Sequence, residues 1–481
     1  MDSEKRPLPA DTWCNPLALE NYPCGMLAPG RHGGDPGGFL GPVRDFRELA
    51  DPEVLHDGNL WYMFPSAGEA YVSGDLAHWT SRKVLFAGEE HPGYAPTVVR
   101  CRGRYLLSSS WPFAGKTEIL AADSPLGPYR SLGTPSDGAG QPLSPGWFDP
   151  MLFADGDGRL YAYWCGDRGE GIFGMELDPE DPVRGIGKPV RLMGFDPARR
   201  FERFGEFNEH PRKASVEGVS MFRRGGTYYL QYSGCGTQFR SYCIGVYKGN
   251  SPLGPFTAQA APAARQRSGR VSGTGHGCWV EGPGGTVWQF YTVLVRRVHE
   301  FERRIGMDKV TFDAHGDAHV EISSAPQSVA GGDLGQLPLS VNKRACASSS
   351  CNACYPGFAV DDCTHTWWMP EKEDAAPWLE VDLRQEFVVT SFQICWAEEG
   401  LDHRAGVLPE AARYVVTFFD EGRARTGEAD LSGNARELLV DFRAVPPVRS
   451  RFVRLKLTPP SQRALRRGVG NFTVFGHFPE V

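Results

Sequence analysis

The sequence predicts an all-β chain, a five-bladed β-propeller followed by a jelly-roll β-sandwich. Three observations predict it: a unit of acidic residue, strand, tight turn and aromatic strand that recurs, a pair of nearly identical turns, and a change of strand pattern beyond Leu339. The unit starts at Asp51 in Leu-Ala-Asp-Pro-Glu-Val, at Asp149 in Gly-Trp-Phe-Asp-Pro-Met-Leu and at Glu217 in Ser-Val-Glu-Gly-Val-Ser-Met. Each start leads to a Gly-rich turn and an aromatic run, as in Asp57-Gly-Asn-Leu-Trp-Tyr-Met-Phe, which reads as a β-hairpin. The unit thus puts one carboxyl at an equivalent place each time.

Two further copies complete the set. Tyr94-Ala-Pro-Thr-Val-Val has the same form with Ala95 in place of the acid, and Thr274-Gly-His-Gly-Cys-Trp carries His276. The starts fall roughly 45 to 70 residues apart, longer than the usual propeller period but of that kind. Ala121-Ala-Asp-Ser-Pro-Leu-Gly-Pro-Tyr and Lys248-Gly-Asn-Ser-Pro-Leu-Gly-Pro-Phe are the matching turns that close later strand pairs. Five such units in a ring place their inner strands around a central funnel. The alternating aromatics, among them Trp61, Tyr105, Tyr161, Tyr163 and Tyr228, are expected to pack between blades.

The ordered set Ala50-Asp51-Pro52, Tyr94-Ala95-Pro96, Phe148-Asp149-Pro150, Val216-Glu217-Gly218 and Gly275-His276-Gly277 resembles glycoside hydrolase family 43 over roughly residues 40 to 330. Arg304-Ile-Gly-Met-Asp-Lys-Val resembles the segment that closes that family's propeller. The resemblance implies an inverting glycosidase acting on arabinose-, xylose- or galactose-containing carbohydrate, with no cofactor required for the chemistry. Inversion needs one carboxylate to activate water and one carboxylic acid to protonate the leaving oxygen, about 6.5 to 9.5 Å apart. Carried over by motif, Asp51 is the general base and Glu217 the general acid. Asp149 orients Glu217 and, as a neighbouring like charge, keeps it protonated. His276 falls where relatives often have a histidine supporting a metal or water on the axis. Arg304, or its neighbour Arg303, supplies a cation near the substrate, and Trp111 and Trp147 are candidates for stacking on a sugar face. An Asp before Pro taken alone commonly serves a turn; the joint occurrence of the trio makes the functional reading.

From Leu339 short alternating strands take over, including Pro377-Trp-Leu-Glu-Val-Asp-Leu, Val388-Val-Thr-Ser-Phe-Gln-Ile and Arg451-Phe-Val-Arg-Leu-Lys-Leu, as in a β-sandwich. Together with Ala359-Val-Asp-Asp and Thr366-Trp-Trp they resemble a discoidin-type (factor V/VIII C) domain over roughly residues 340 to 478. That resemblance makes Asp361 and Asp362 candidate ligands for a structural calcium. The expected division is an N-terminal extension at 1–40, the propeller at 41–325, a linker at 326–338 and the sandwich at 339–481. The extension is expected either to cross the propeller face or to complete the last blade.

Composition narrows the partners. A net charge of −7 with no basic stripe argues against nucleic acid, and no apolar run reaches the ~20 residues of a membrane span. The 12 cysteines include a cluster at Cys346, Cys351, Cys354 and Cys363, which lacks the second Cys-x2-Cys pair of a zinc site. Thiols in apparent buried strands and a polar N-terminus without a signal-like stretch lead us to expect a cytoplasmic protein. An oligosaccharide or polysaccharide is the expected partner. An exo-acting α-L-arabinofuranosidase or β-xylosidase is the leading expectation, with an endo-acting arabinanase or a non-catalytic sugar-binding protein as alternatives.

Overall fold

The computed structural model describes residues 6–23, 46–66, 69–87, 93–110, 117–143, 147–166, 170–265, 267–295, 297, 299, 301–402 and 405–480. Five four-stranded antiparallel sheets follow one another in sequence order. Blade one consists of Ala50–Asp57, Leu60–Ser66, Ala70–Ser73 and Thr80–Arg82, and blade two of Tyr94–Cys101, Arg104–Ser110, Ile119–Ala122 and Arg130–Gly133. Blade three consists of Phe148–Ala154, Leu160–Cys165, Ile172–Leu177 and Gly185–Met193. Blade four consists of Val216–Arg224, Thr227–Gly234, Cys243–Gly249 and Phe256–Ala258, and blade five of Trp279–Glu281, Val287–Leu294, Arg303–Phe312 and Ala318–Val320. The first strand of blade one packs against the second strand of blade five, which closes the ring.

The hairpin turns do more than reverse the chain. Asp57 at the turn of blade one accepts from the Tyr105 hydroxyl at 2.5 Å and from Arg100 at 2.8 Å, both in blade two. Asp155 at the turn of blade three accepts in the same way from Tyr228 at 2.5 Å and Arg223 at 2.6 Å in blade four. The aromatic hairpin residues fill the clefts between blades, with Tyr161, Tyr163 and Tyr228 in one apolar cluster spanning blades three and four.

The second fold is a single seven-stranded sheet bent into a sandwich. Its longest member, Trp378–Glu399, pairs with Val440–Leu457 on one side and with Arg466–His477 on the other, and its register shifts near Asp382 and again near Val389. Those breaks let one strand serve both layers around a core that includes Phe392, Ile394, Trp396, Tyr414 and Phe472.

Of the N-terminal segment the described residues are 6–23, and these lie against blade five, with the Leu17 N–H donating to the Ile305 carbonyl at 2.9 Å; residues 24–45 lie outside the described residues. Thr12–Trp13 pairs with Gln327–Ser328, which in turn pairs with Gly332–Asp333. The chain then runs along the seam between blade five and the sandwich. Asn15 donates to the Met307 carbonyl at 3.0 Å and to Asp308 at 3.1 Å, while Gln393 of the sandwich donates to the carbonyls of Cys14 and Pro16 at 3.2 and 3.1 Å. The stretch expected as a linker therefore carries strand pairs, and Leu337–Pro338 pairs with the last strand of the sandwich. No described helix is long and apolar enough to cross a membrane.

Candidate active site

A residue in the left-handed region stands at or just before the start of the first strand of every blade: Asp51 at φ 51°, Ala95 at 45°, Asp149 at 46°, Gly218 at 62° and His276 at 41°. An L-residue reaches that region only when its surroundings compel it, and in blades one to four the opening turn is followed by a bulge in which pairing skips two residues. The bulge re-aims the side chain of the opening residue towards the axis. Glu217 is one residue out of step with this pattern. It pairs with Ser233 as Ala50 pairs with Ser66 and Phe148 with Cys165, so Gly218, not Glu217, is the equivalent of the two aspartates. The expectation of three carboxyls at one repeat position is corrected accordingly: two share it, and the third comes from the position before it.

The structure nonetheless brings all three together. Asp51, Asp149, Glu217 and His276 line one cavity of about 500 Å3, with Arg303 beside them. Asp51 is 5% exposed and Asp149 6%. The His276 Nδ1 lies 3.2 Å from Asp51 Oδ1 and 3.7 Å from Asp149 Oδ2. Asp51 also accepts from the Ser66 hydroxyl at 2.6 Å and from Arg303 at 3.2 Å. Burial alone would push its carboxyl up, but Arg303, His276 and the hydroxyls of Ser66 and Thr292 outweigh it and hold Asp51 below the ordinary aspartate range. Asp149 goes the other way. Burial, reinforced by the charges of Glu217 and Asp51 and opposed by His276 and the Gly218 N–H, pushes it up to about 7. Glu217 accepts from Ser215 at 2.5 Å and from Tyr242 at 2.9 Å.

Other candidates from the sequence lie elsewhere. Arg304 points away from the cavity, donating to the Arg47 carbonyl at 2.8 Å and pairing with Glu302 at 3.1 Å. Arg303 is the guanidinium that lines the cavity, and it joins Asp51 to Glu48, which it meets at 3.1 Å. Trp147 is buried between blades two and three, stacked on Trp164 with ring centroids 5.4 Å apart and bonded to the Ser108 hydroxyl at 3.2 Å, so it offers no face to a sugar. Trp111 lies outside the described residues. The exposed aromatic at the mouth is instead Phe148, joined by Phe204 and Phe301.

Asp361 and Asp362 do not fit a calcium site. Both oxygens of Asp361 are taken locally, by the Cys363 N–H at 2.9 Å and the Thr366 hydroxyl at 2.8 Å, and Asp362 faces the Arg270 guanidinium at 4.0 Å. A cation there would meet a fixed positive charge. Among the described residues no group of three or more His, Cys, Asp or Glu side chains is placed to hold a metal ion, the Cys346–Cys363 cluster included. The eleven described cysteines carry free thiols.

Known proteins fit this geometry. The family model for glycosyl hydrolases family 43 matches residues 42–317. An extracellular endo-α-(1→5)-L-arabinanase of Thermotoga petrophila is 26% identical over 266 residues, covering 45% of this chain and 52% of that protein. A β-D-galactofuranosidase of Aspergillus niger is 25% identical over 291 residues, covering 52% and 74% respectively. A xylan 1,3-β-xylosidase of a Vibrio species is 24% identical over 283 residues, covering 52% and 48%. The chain thus spans about half the length of two of these curated relatives. The crystal structure of a thermostable family-43 glycoside hydrolase superposes with a TM-score of 0.51 at 19% identity, covering 66% of this chain and 99% of that one, a likeness of fold. With the family model matched over more than half its length, the chain belongs to glycosyl hydrolases family 43.

Proposed function

We propose that the protein is an inverting glycosidase in which Asp51 is the general base, Glu217 the general acid and Asp149 the residue that orients Glu217. The observation that carries this reading is the opposite electrostatic treatment of two aspartates on one cavity wall. Asp51, held low by Arg303 and His276, is ionised at neutral pH and fit to take a proton from water. Asp149, pushed to about 7 by burial and by the charges of Glu217 and Asp51, retains a proton near neutral pH beside Glu217. Glu217 protonates the leaving oxygen, and its Tyr242 and Ser215 partners hold the carboxyl in one orientation. Arg303 and His276 keep Asp51 fixed as the water attacks the opposite side of the sugar from the departing group.

The substrate reading is a terminal pentose, or a galactofuranose-like residue, removed from an oligosaccharide. The names of the relatives supply the sugar class. Exo action rests on the segment between blades three and four, whose short pair Arg203–Phe204 and His210–Ala214 puts Phe204 and Lys213 on the cavity wall.

Hydrolysis of 4-nitrophenyl α-L-arabinofuranoside, β-D-xylopyranoside, β-D-galactofuranoside and β-D-galactopyranoside tests the reading. One of them is expected to be cleaved, with kcat lowered about 10²- to 10⁴-fold by Asp51→Asn. Glu217→Gln is expected to lose less on 4-nitrophenyl glycosides than on sugar leaving groups, because nitrophenolate departs without a proton. Equal losses on both would remove Glu217 from the acid role. Release of oligomers from a long arabinan, with no monosaccharide, would replace exo by endo action.

A further inference from the structure

Behind the residues that line the cavity runs a second repeat, one of hydroxyls. In four of the five blades the second strand bears a buried hydroxyl close to its end: Ser66, Ser110, Ser233 and Thr292. Each accepts the N–H of the left-handed residue that opens the next blade around the ring. Ser66 takes it from Ala95 at 2.8 Å, Ser110 from Asp149 at 2.7 Å, Ser233 from His276 at 2.7 Å and Thr292 from Asp51 at 3.0 Å. Leaving such a buried N–H without an acceptor is unfavourable. Three of the hydroxyls then donate to the carboxylates themselves, Ser66 to Asp51 at 2.6 Å, Thr292 to Asp51 Oδ1 at 3.5 Å and Ser110 to Asp149 Oδ1 at 3.2 Å.

Blade three breaks the pattern. Cys165 holds the same register there, opposite Phe148 as Ser66 is opposite Ala50 and Ser110 opposite Tyr94. A thiol is a weak acceptor, and the Gly218 N–H, which also faces the Cys165 sulfur, is accepted by Asp149 Oδ2 at 3.0 Å. Gly218 follows Glu217 directly, and its left-handed turn has no slack, since a Cβ there would stand 2.7 Å from the His276 ring.

We propose that Ser110 and Cys165 are positioning residues for the Asp149–Glu217 pair: Ser110 fixes Asp149 by one oxygen, and Cys165, by offering no hydroxyl, leaves the other oxygen to clamp the backbone beside Glu217. The inference deepens the assignment of Glu217 as proton donor and rests on it. The titratable groups facing Asp149 are His276, Glu217 and Asp51, with Tyr242 and Cys165 packed close by.

The decisive variant is Cys165→Ser, which restores the missing hydroxyl. The serine is expected to capture the Gly218 N–H. Asp149 then loses a donor that favours its charged form, and its titration midpoint, followed by 13C NMR of labelled aspartate carboxyls in the full chain, rises by about one pH unit. Cys165→Ala adds no acceptor and is expected to leave that midpoint at its native value. An unchanged midpoint in Cys165→Ser, or an equal rise in Cys165→Ala, overturns the role of Cys165. For Ser110→Ala, kcat on a disaccharide is expected to fall about 10- to 100-fold with KM unchanged, a 4-nitrophenyl glycoside losing less, and Ser110→Thr restoring both. Equal loss on the two substrates, or no rescue by threonine, overturns the role of Ser110. Should no glycoside be cleaved at all, the functional reading fails, while the NMR midpoints still decide the role of Cys165.

Discussion

Asp51 and Asp149 occupy equivalent turns, are equally buried, and differ in what surrounds them. Asp51 faces Arg303 and two hydroxyl donors, whereas Asp149 faces two carboxyls and shares His276. The pH profile follows from these signs. Activity that needs Asp51 ionised falls on the acid side only below the ordinary aspartate range. The proton on Asp149 is lost as pH rises through about 7, and the new charge beside Glu217 is expected to lower kcat/KM above that value. Measured from pH 3 to 10, an alkaline limb that is the same in Asp149→Asn as in the native protein would take Asp149 out of this account. Gly218→Ala tests the same turn by sterics. The strained left-handed backbone and the clash with His276 are expected to lower kcat at least about tenfold, with a lower melting temperature as well. At this scale the sequence named the acidic trio and His276, because their motifs are local. It left Arg304 and its neighbour Arg303 both open. Alternation along a strand sends adjacent side chains to opposite faces, and which one meets the cavity depends on register against Val287–Leu294, which no local pattern encodes.

Each blade is a self-contained antiparallel unit, and that is why the hairpins were legible from turn residues and aromatic alternation. The bulges were not. A bulge is set by the match between two strands, so the one-residue offset of Glu217 from Asp51 and Asp149 appears only in the pairing. The hydroxyl ring did leave a signal, a Ser or Thr five or six residues into each second strand with Cys165 as the exception, but the reading of the repeat stopped at its acidic starts. The inserted segment between blades three and four supplies a further element. Its Phe204 packs edge-on against Phe239 at 4.8 Å and carries the Lys213 ammonium 3.7 Å above its ring, so the wall is braced rather than loose. Replacing residues 205–209 by two glycines is expected to open that wall. The ratio of kcat/KM on a pentasaccharide to that on a disaccharide should then rise, read from product lengths by chromatography. An unchanged ratio would mean that the wall does not set chain length.

The two folds share one apolar core, which does not stop between them. Trp13, Leu17, Leu19 and Tyr22 of the N-terminal segment, Trp61 and Trp288 of the propeller, and Trp368, Phe392 and Trp396 of the sandwich belong to a single buried cluster. Charge follows the same seam. Arg47, just before blade one, is buried against Glu398 at 2.9 Å and against Glu437, both in the sandwich, and Glu398 meets Arg467 at 3.2 Å. Burial would raise the Glu398 carboxyl, yet the two guanidiniums hold it below the ordinary range. The sequence separated the two folds by their strand patterns, which are short-range. It could not show the seam, since the partners are hundreds of residues apart and alternate as ordinary core positions on each side. The expected consequence is a stability that neither fold has alone. Arg47→Met leaves Glu398 and Glu437 buried with one partner fewer and is expected to destabilise the whole chain by about 3–5 kcal/mol, in one transition seen alike by far- and near-ultraviolet circular dichroism. A chain ending at residue 338 strips the cover from Trp13, Leu17 and Trp288. It is expected to lose the cooperative transition and to aggregate, even though every carboxyl of the candidate site remains in it. If that shortened chain instead melts as sharply as the full one and keeps its activity, the seam is a docking contact between independent bodies, and the Arg47 effect should shrink to that of a surface pair, about 1 kcal/mol or less.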